Sequence, residues 1–481
     1  MPIVSRPIVN RDVFWSALEA TGSALFSVVA AFVIARLIGP AELGIGAAAV
    51  ATHVLLWVAV NALFADAIVQ RESIDDVTMS SGYWAGALIG CAAAAAQAAS
   101  GWLLAWLLDD PRMVVMAALL AVPLPFVGMG GALQGRLTRE RRYRGLAART
   151  LIGQGSGMVL GLTLAFHGAG AWAPVLQQAT GSIIAALVLI AIAGWRPLPV
   201  CHWAAVRSLL RIGLPLTAST LLQIGRYRVF AILIGGTAGA APLGQVHMAF
   251  RMVDTVREIT FTAMWRLLLP ILSEHQRDQT ALRRETDRLL RLSSLVTMPL
   301  CGGLAVTLDP VTELMLGPAW HGAALAARPL VALMVLAALM FPSAAALIAV
   351  GQARYTLYSN LVCMLATIGL ALLVRPETAW TAALVWCVAQ VAAVPYNLWV
   401  NGRALGCGPL RPLRAGIAMS LVSGISTAAA LAVNAATPAE TLFWRVGVFA
   451  LALAGFGLAW LAVSRSERWR IAGAGAPERG A

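Results

Sequence analysis

Four arginines lie within long apolar stretches of the sequence, where a charge is costly. Arg226 and Arg228 fall in the stretch over residues 212–234, and Arg251 and Arg257 fall in the next one. A charged side chain at the bilayer centre costs about 3 kcal/mol on insertion scales, so such residues face a watery cavity or an anionic group. The guanidinium is a planar fork that donates two hydrogen bonds and stays charged, which suits a phosphate. The four arginines are therefore candidate substrate-binding residues for an anionic ligand.

The second of these stretches also carries acidic residues, which leave two interpretations open. Arg251, Asp254 and Glu258 follow at i, i+3 and i+7 on one helical stripe, with Arg257 beside it. One interpretation is a structural ion-pair network, and the other is an arginine lining that contacts an anion. The first stretch favours the lining, because it adds two arginines and no acid of its own. Asp254 and Glu258 remain candidates for either a structural or a coupling role.

Helical spacing limits how these arginines act together. Arg226 and Arg228 are two residues apart, so a regular helix points them to nearly opposite faces. At a rise of about 1.5 Å per residue, they lie about 9–12 Å from the outer end of their helix, and Arg251 lies about 13 Å from the same side. Arg226 and Arg251 are therefore the first candidates for one anionic ligand, ahead of Arg228 and Arg257.

Two further ionisable residues interrupt the first two apolar stretches. Glu19 lies about two turns into the first stretch, where it snorkels, pairs with an arginine, or forms a cation or proton site that couples transport. His53 lies near the middle of the second stretch and is either a hydrogen-bonded packing residue or a coupling residue. The six cysteines include no CxxC pair, so the sequence predicts neither a metal site nor a cofactor.

The elements that position these residues follow from the composition. Of 481 residues, 59% are hydrophobic and 12% are charged, as in polytopic membrane proteins. The predicted fold class is all-α, with about fourteen transmembrane helices. The apolar stretches span residues 13–35, 43–65, 82–107, 113–134, 146–166, 171–194, 212–234, 242–271, 291–308, 325–350, 357–374, 379–400, 412–434 and 441–463. No room is left for a sizeable soluble domain.

The distribution of arginine predicts the orientation. Every basic residue is arginine, and the net charge is +13. With a cytoplasmic N-terminus, 26 of the 35 arginines lie on the cytoplasmic side, five lie on the other side and four lie in the membrane. Cytoplasmic loops are enriched in basic residues, so both termini are predicted to be cytoplasmic. The same rule explains the positive charge without nucleic acid as a partner.

The sequence contains no recognisable catalytic motif. The non-cytoplasmic loops are short, which excludes a large external catalytic domain. No HExxH, GxSxG or HxxxxD pattern occurs. The sequence therefore predicts a function within the membrane or at its cytoplasmic rim, and not an enzyme.

An internal repeat organises the chain. The end of the first stretch, VIARLIGPAELG, is similar to the end of the seventh, VFAILIGGTAGAAPLG. Six spans separate them, which predicts parallel repeats related by an axis along the membrane normal. The predicted domains are an N-terminal lobe over residues 1–200 with helices one to six and a C-terminal lobe over 201–405 with helices seven to twelve. Two additional transmembrane helices and a cytoplasmic tail occupy 406–481.

Three local patterns carry structural predictions. Gly153, Gly157 and Gly161 repeat every four residues in the fifth span, which predicts close helix packing. Pro310 predicts a loop or a helix end. The segment over 277–294 is amphipathic and basic, so it is predicted to lie on the inner leaflet, held by acidic lipids.

Two blocks of sequence resemble a known family. The first is the opening segment, VSRPIVNRDVFWSALEATGSALFSVVAAFVIARLIGPAELG. The second runs from a Leu-Pro-x-Leu-Ser-like turn, through a basic helix and an acidic-Pro turn, to a Gly-Pro-x-Trp close. Its matching residues are Leu269, Pro270, Leu272 and Ser273, then Asp309 and Pro310, then Gly317, Pro318, Ala319 and Trp320. Both blocks resemble bacterial polysaccharide transporters, the Wzx-type oligosaccharide flippases of the multidrug/oligosaccharidyl-lipid/polysaccharide exporter superfamily.

That resemblance implies both a fold and a function. The fold would be two six-helix lobes around a V-shaped cationic cavity, plus two C-terminal helices. The function would be to flip an undecaprenyl-pyrophosphate-linked oligosaccharide to the periplasmic leaflet of the bacterial inner membrane, for exopolysaccharide or O-antigen biosynthesis. The partners would be the lipid-linked oligosaccharide, membrane lipids, and a polysaccharide polymerase with its export machinery. A cation-coupled multidrug exporter of the same superfamily is the alternative.

Overall fold

The computed structural model describes residues 8–352, 354–408, 410–436, 443–455 and 457–458. In these ranges the chain is helical and contains no strand. The helices are α1 (Ile8–Gln70), α2 (Asp76–Leu108), α3 (Arg112–Ala121), α4 (Leu124–Arg139), α5 (Tyr143–Phe166), α6 (Trp172–Ala193), α7 (Trp203–Ala238), α8 (Ala240–Glu274), α9 (Gln279–Leu316), α10 (His321–Ala349), α11 (Arg354–Val374), α12 (Ala379–Val391), α13 (Val394–Ala404) and α14 (Arg411–Ala436). A 3-10 turn (Pro318–Trp320) precedes α10, and a shorter apolar helix covers Phe443–Gly455.

The predicted spans coincide with these helices. The 63 residues of α1 would extend about 95 Å, against a hydrocarbon core of about 30 Å. A break at Gly39 divides α1 into the first and second predicted spans. The pairs α3–α4 and α12–α13 each form one span with an interruption. Among the described helices, nine segments are long and apolar enough to cross a membrane. The all-α polytopic prediction is therefore confirmed, while the C-terminal tail and the end of the fourteenth span lie outside the described residues.

One local prediction needs correction. Pro310 lies inside α9, which continues to Leu316, so it does not end the helix. The basic segment over 277–294 is helical from Gln279 onward. Its Leu282 is buried in a core cluster with leucines of α8, whereas Leu292 is exposed. The inner-leaflet location of this segment stays a prediction.

The chain folds as two compact units. The first holds α1 to α7 and the start of α8, together with Met315–Ala323 and Asn360–Ala389. The second holds Ala249–Leu314, Ala324–Ser359 and the helices that follow Gln390. These units group residues by mutual contact and do not test the lobes over 1–200 and 201–405, which stay a prediction together with the segment over 406–481.

The same backbone conformation occurs at equivalent positions of the two repeated segments. Gly39 has φ 79° and ψ 171°, and Gly239, at the end of α7, has φ 86° and ψ −177°. A side chain is strongly disfavoured at such positive φ values, so glycine is required at both breaks. The two positions are 200 residues apart, and each lies within one of the two similar segments identified in the sequence.

A close crossing joins the two copies within the first compact unit. A Cβ atom added to Gly44 would lie 1.8 Å from the carbonyl oxygen of Ala240. A Cβ atom added to Gly244 would lie 1.9 Å from the carbonyl oxygen of Pro40. The contacts are reciprocal at the same offset of 200 residues. Only glycine allows this approach, in which the second half of α1 crosses the start of α8.

Candidate functional site

A polar cavity of about 460 Å³ opens within the first compact unit. Four helical segments line it: both halves of α1, then α5 and α6. The lining residues are Glu19, Phe26, Ser27, Val54, Trp57, Val58, Arg149, Thr150, Gln154, Gln177, Gln178, Gly181, Ser182 and Ala185. Eight of these side chains are polar or charged, although most of them lie within predicted transmembrane spans.

A glycine stripe fixes the geometry of the cavity wall. A Cβ atom added to Gly157 would lie 2.5 Å from the carbonyl oxygen of Gln177 on α6. Gly153 and Gly161 approach α6 just as closely, with Cβ contacts of 2.7 and 2.8 Å. The predicted close packing is confirmed. Arg149, Thr150 and Gln154, which lie near the N-terminal end of this glycine face, line the cavity together with residues of α6.

Arg149 is the charged residue most deeply placed in this cavity. Its Nη1 atom donates a hydrogen bond of 2.7 Å to Oε1 of Gln134, which also accepts from Nδ2 of Asn61 at 3.2 Å. Its Nε atom is buried and has no hydrogen-bond partner among the described residues. The guanidinium is thus held at Nη1 by the side chain of Gln134, which Asn61 supports in turn.

Arg149 was not predicted as a site residue, because it follows a run of basic residues typical of a cytoplasmic loop. A signal was present in the sequence. Arg149, Thr150 and Gln154 fall near the start of an apolar span, next to the glycine repeat at residues 153, 157 and 161. Ionisable residues within a span face the bundle interior or a water-filled cavity, so Arg149 was a candidate to line one.

Glu19 supplies the opposite charge. Its Oε1 atom accepts a hydrogen bond of 2.6 Å from the hydroxyl of Thr150. The carboxylate also interacts electrostatically with Arg149. The predicted candidate Glu19 therefore faces the same cavity as an arginine, and the cavity lining carries no net formal charge.

His53 does not line the cavity but contacts Ser182, which does. Its side chain is fully buried, and Nε2 lies 3.4 Å from Oγ of Ser182 in a hydrogen bond. The same hydroxyl accepts a hydrogen bond of 3.3 Å from Nε2 of Gln178. These contacts favour the packing interpretation of His53, which fixes a serine of the lining.

Arg226 lies in an aromatic environment elsewhere in the first compact unit. Its guanidinium carbon is 5.4 Å from the ring centroid of Trp386 on α12, and the group also hydrogen-bonds Cys363 on α11. The ring of Phe230 stacks 5.2 Å from that of Trp386. A half-buried arginine over an aromatic face is held by a cation–π interaction of about 0.5–2 kcal/mol.

Arg228 takes a different direction from Arg226. Helix α7 is continuous through this region, so the two side chains leave different faces, as their spacing predicts. The guanidinium carbon of Arg228 lies 5.4 Å from the ring centroid of Tyr227. The hydroxyl of Tyr227 in turn hydrogen-bonds Nδ1 of His247 at 2.9 Å, which ties α7 to the start of α8. These aromatic contacts were not predicted from the sequence.

The charged stripe of α8 belongs to the second compact unit. Asp254 forms an ion pair of 2.8 Å with Arg257, one helical turn away. Asp254 also interacts electrostatically with Arg251 and Glu258. Arg257 and Glu258 are exposed and Arg251 is half-buried. The pair Arg257–Asp254 fits the structural interpretation, and a shared ligand for Arg226 and Arg251 stays a prediction.

An ion-pair hub joins three connections at one end of the first compact unit. Arg112 contacts Glu42 at 2.9 Å and Asp110 at 2.7 Å. Glu42 also accepts a hydrogen bond of 2.7 Å from the backbone nitrogen of Ala171. The hydrogen bond from Arg112 lowers the pKa of Asp110 below its usual value. The hub fixes the start of the second half of α1 against the α2–α3 and α5–α6 connections.

Metal ligation finds no candidate in the described ranges. No group of three or more His, Cys, Asp or Glu side chains there is arranged to hold a metal ion. All six cysteines lie in the described ranges, and none of them forms a disulfide bond there.

Comparison with known proteins gives relatives along most of the chain. Over 439 residues, 24% are identical to the succinoglycan biosynthesis transport protein ExoT of Rhizobium meliloti, covering 88% of this chain and 87% of the relative. The lipopolysaccharide biosynthesis protein WzxC of Escherichia coli is 20% identical over 64% of this chain and 63% of its own length.

Solved structures share the fold. The lipid II flippase MurJ, in an inward closed conformation, superposes with a TM-score of 0.76 at 13% identity, covering 95% of this chain and 99% of MurJ. An inward-facing multidrug resistance transporter of the MATE family superposes with a TM-score of 0.61 at 14% identity, covering 85% and 95%. At these identities the likeness shows the fold alone. A family model described as polysaccharide biosynthesis protein matches residues 33–325, and the chain belongs to that family.

Proposed function

We propose that this protein flips an oligosaccharide linked to undecaprenyl pyrophosphate from the cytoplasmic to the periplasmic leaflet, for exopolysaccharide or O-antigen biosynthesis. The observation that carries the proposal is the charge of α7, which holds Arg226 and Arg228 half-buried and has no acidic residue. The relatives named for succinoglycan transport and lipopolysaccharide biosynthesis support the same substrate class.

Each part of such a substrate needs a different environment. The pyrophosphate carries the charge, and arginine binds it with paired, charge-assisted hydrogen bonds. Arg226 and Arg251 are the residues we propose for this contact, with Arg228 and Arg257 as additional contacts. The polyprenyl chain stays in lipid, because its transfer into a polar lumen would expose apolar surface. Rocking of two repeats about a central site would expose the ligand to each side in turn.

The proposal includes a location and partners. The chain is an integral membrane protein, and we infer that it lies in the bacterial inner membrane with both termini cytoplasmic. The arginine distribution supports this orientation. The proposed partners are the lipid-linked oligosaccharide, membrane lipids, and a polysaccharide polymerase with its export machinery. We further infer that the protein acts as a transporter and not as an enzyme.

A cation-coupled multidrug exporter is the second candidate, favoured by the fold shared with the MATE transporter. Cationic drugs require acidic or aromatic contacts, whereas α7 carries four arginines, including the half-buried Arg226 and Arg228, and no acid. Glu19 and Asp254 would be the acids of such a mechanism. Drug-resistance profiling of a deletion strain separates the candidates: unchanged resistance with loss of polymer supports the flippase, and drug sensitivity with normal polymer supports the exporter.

The experiment that tests the flippase assigns the arginines directly. Arg226→Ala and Arg251→Ala should abolish polymer export and accumulate the lipid-linked repeat unit, at normal abundance of the protein in the membrane. Arg207→Ala is a matched control, because Arg207 is an exposed arginine on the same helix as Arg226. Normal export in both variants would contradict the assignment of the pyrophosphate contact.

A further inference from the structure

We propose that the polar cavity formed by α1, α5 and α6 binds neutral sugar residues of the transported saccharide. The inference rests on the proposed function, and it assigns to this cavity a ligand class different from that of α7. Four features of the cavity support it: the charge, the hydrogen-bonding groups, the aromatic wall and the size.

The charge of the cavity argues for a neutral ligand. Glu19 and Arg149 are its two charged residues, and they interact electrostatically. A pyrophosphate bound beside Arg149 would be repelled by the carboxylate of Glu19. A neutral ligand meets no such repulsion, and both charged groups can form strong hydrogen bonds with its hydroxyls.

The remaining polar groups match sugar hydroxyls. Gln154, Gln177 and Gln178 supply amides, and Thr150 and Ser182 supply hydroxyls. Amide and hydroxyl side chains both donate and accept, as sugar hydroxyls do. Polar side chains in a transmembrane helix are costly unless they are satisfied. Thr150, Gln178 and Ser182 hydrogen-bond other protein groups. Their hydroxyls and amides keep capacity for further bonds, which a ligand that both donates and accepts would use.

An aromatic wall and the volume complete the match. Trp57 and Phe26 line the cavity on the α1 side. A sugar ring has an apolar C–H face that packs on aromatic side chains, which combine a large apolar surface with a defined orientation. The volume of about 460 Å³ falls in the range of about 300–1,000 Å³ typical of small-molecule sites.

The test uses the saccharide without its lipid or phosphate. The full-length protein in nanodiscs is mixed with the free repeat-unit oligosaccharide, released by hydrolysis from the polymer of the host, and saturation-transfer NMR reports binding. The wild type should give a signal, and the double variant Gln154→Leu/Gln178→Leu should weaken binding by about tenfold or more, because two hydrogen-bonding groups are lost. Arg207→Ala, which changes an exposed arginine outside both proposed sites, should leave the signal unchanged.

Controls separate loss of the site from loss of the fold. Thr163→Val removes an exposed polar group from the same helix α5 and should bind as the wild type does. If the double variant misfolds by size-exclusion chromatography, the single variant Gln154→Leu replaces it, with an expected loss of about threefold to tenfold.

The outcomes distinguish this inference from the proposed function. No signal with the wild type, or an equal signal with the cavity variant, would overturn the sugar site. Flipping of the lipid-linked repeat unit by the wild type, measured in proteoliposomes, decides separately on the proposed function. A cavity variant that binds the saccharide normally but loses dependence of flipping on an ion gradient would make the cavity a coupling site and would also overturn the inference.

Discussion

The cavity of α1, α5 and α6 and the arginines of α7 lie in the same compact unit but differ in charge balance. The cavity pairs Arg149 with Glu19 and surrounds them with amides. Helix α7 holds two arginines beside aromatic rings and has no acid. An arginine inside a membrane protein therefore does not identify an anion site by itself. The surrounding groups decide whether its charge is available to a ligand or offset by the protein.

The largest expected effect is a loss of pyrophosphate affinity when an arginine of α7 is removed. Arg226→Ala should weaken the binding of inorganic pyrophosphate to the protein in nanodiscs by about 10–100-fold, because a charge-assisted hydrogen bond contributes about 1.5–3 kcal/mol. Isothermal titration calorimetry gives the affinity. Arg226→Lys should recover only part of it, because lysine cannot donate in a planar fork. Equal affinities for wild type and Arg226→Ala would show that α7 does not bind the anion.

A steric change should damage the cavity and spare α7. Gly157→Leu places a side chain where the carbonyl oxygen of Gln177 approaches a Cβ atom to 2.5 Å. The α5–α6 contact must then open, at a cost of about 1–3 kcal/mol in stability. We expect a lower unfolding temperature and loss of saccharide binding, with pyrophosphate binding retained. Gly155→Ala, whose nearest contact is 3.4 Å, is the milder control. Saccharide binding at wild-type affinity in Gly157→Leu would break the link between the glycine stripe and the cavity.

The positions of Gly157 and Arg226 show which features of the structure could be predicted from the sequence. The apolar stretches predicted the helices, and the glycine repeat predicted the α5–α6 contact, because hydropathy and small-residue spacing are local properties. The placement of Trp386 over Arg226 depends on a contact across 160 positions, which no local pattern contains. Arg149 could not be distinguished from the run of basic residues that precedes it in the sequence. In the structure it lies on α5 and lines the cavity.

Removing the charge of Glu19 should make the cavity cationic, as the region around Arg226 and Arg228 is. Glu19→Gln keeps an acceptor for Thr150, so the fold is expected to hold, but the cavity becomes cationic around Arg149. We expect a second, weaker pyrophosphate site, with binding several-fold above that of the double variant Glu19→Gln/Arg149→Gln. Calorimetry that finds a single site in Glu19→Gln would show that Glu19 does not offset the charge of Arg149.

The smallest effect concerns the hub around Arg112. The folded-state pKa of Asp110 is lowered by Arg112, so its stabilisation is present above the unfolded value of about 3.9 and is lost as pH falls through the folded value. Arg112→Gln should therefore destabilise the protein at neutral pH by up to about 1 kcal/mol, because the pair is partly exposed. The difference from the wild type should shrink below about pH 4. Thermal unfolding across pH measures it, and a difference independent of pH would exclude Asp110 as the cause. Neither ligand site should respond.

Flipping of the undecaprenyl-pyrophosphate-linked repeat unit in proteoliposomes tests the central claim most directly. The fraction of the lipid-linked glycan that crosses the bilayer is followed with time for empty vesicles, wild-type protein and the Arg226→Ala and Arg207→Ala variants. We predict rapid crossing with the wild type and with Arg207→Ala, and crossing near the empty-vesicle rate with Arg226→Ala. Crossing by the wild type no faster than in empty vesicles would contradict the proposed function, and equal rates for wild type and Arg226→Ala would contradict the role of α7.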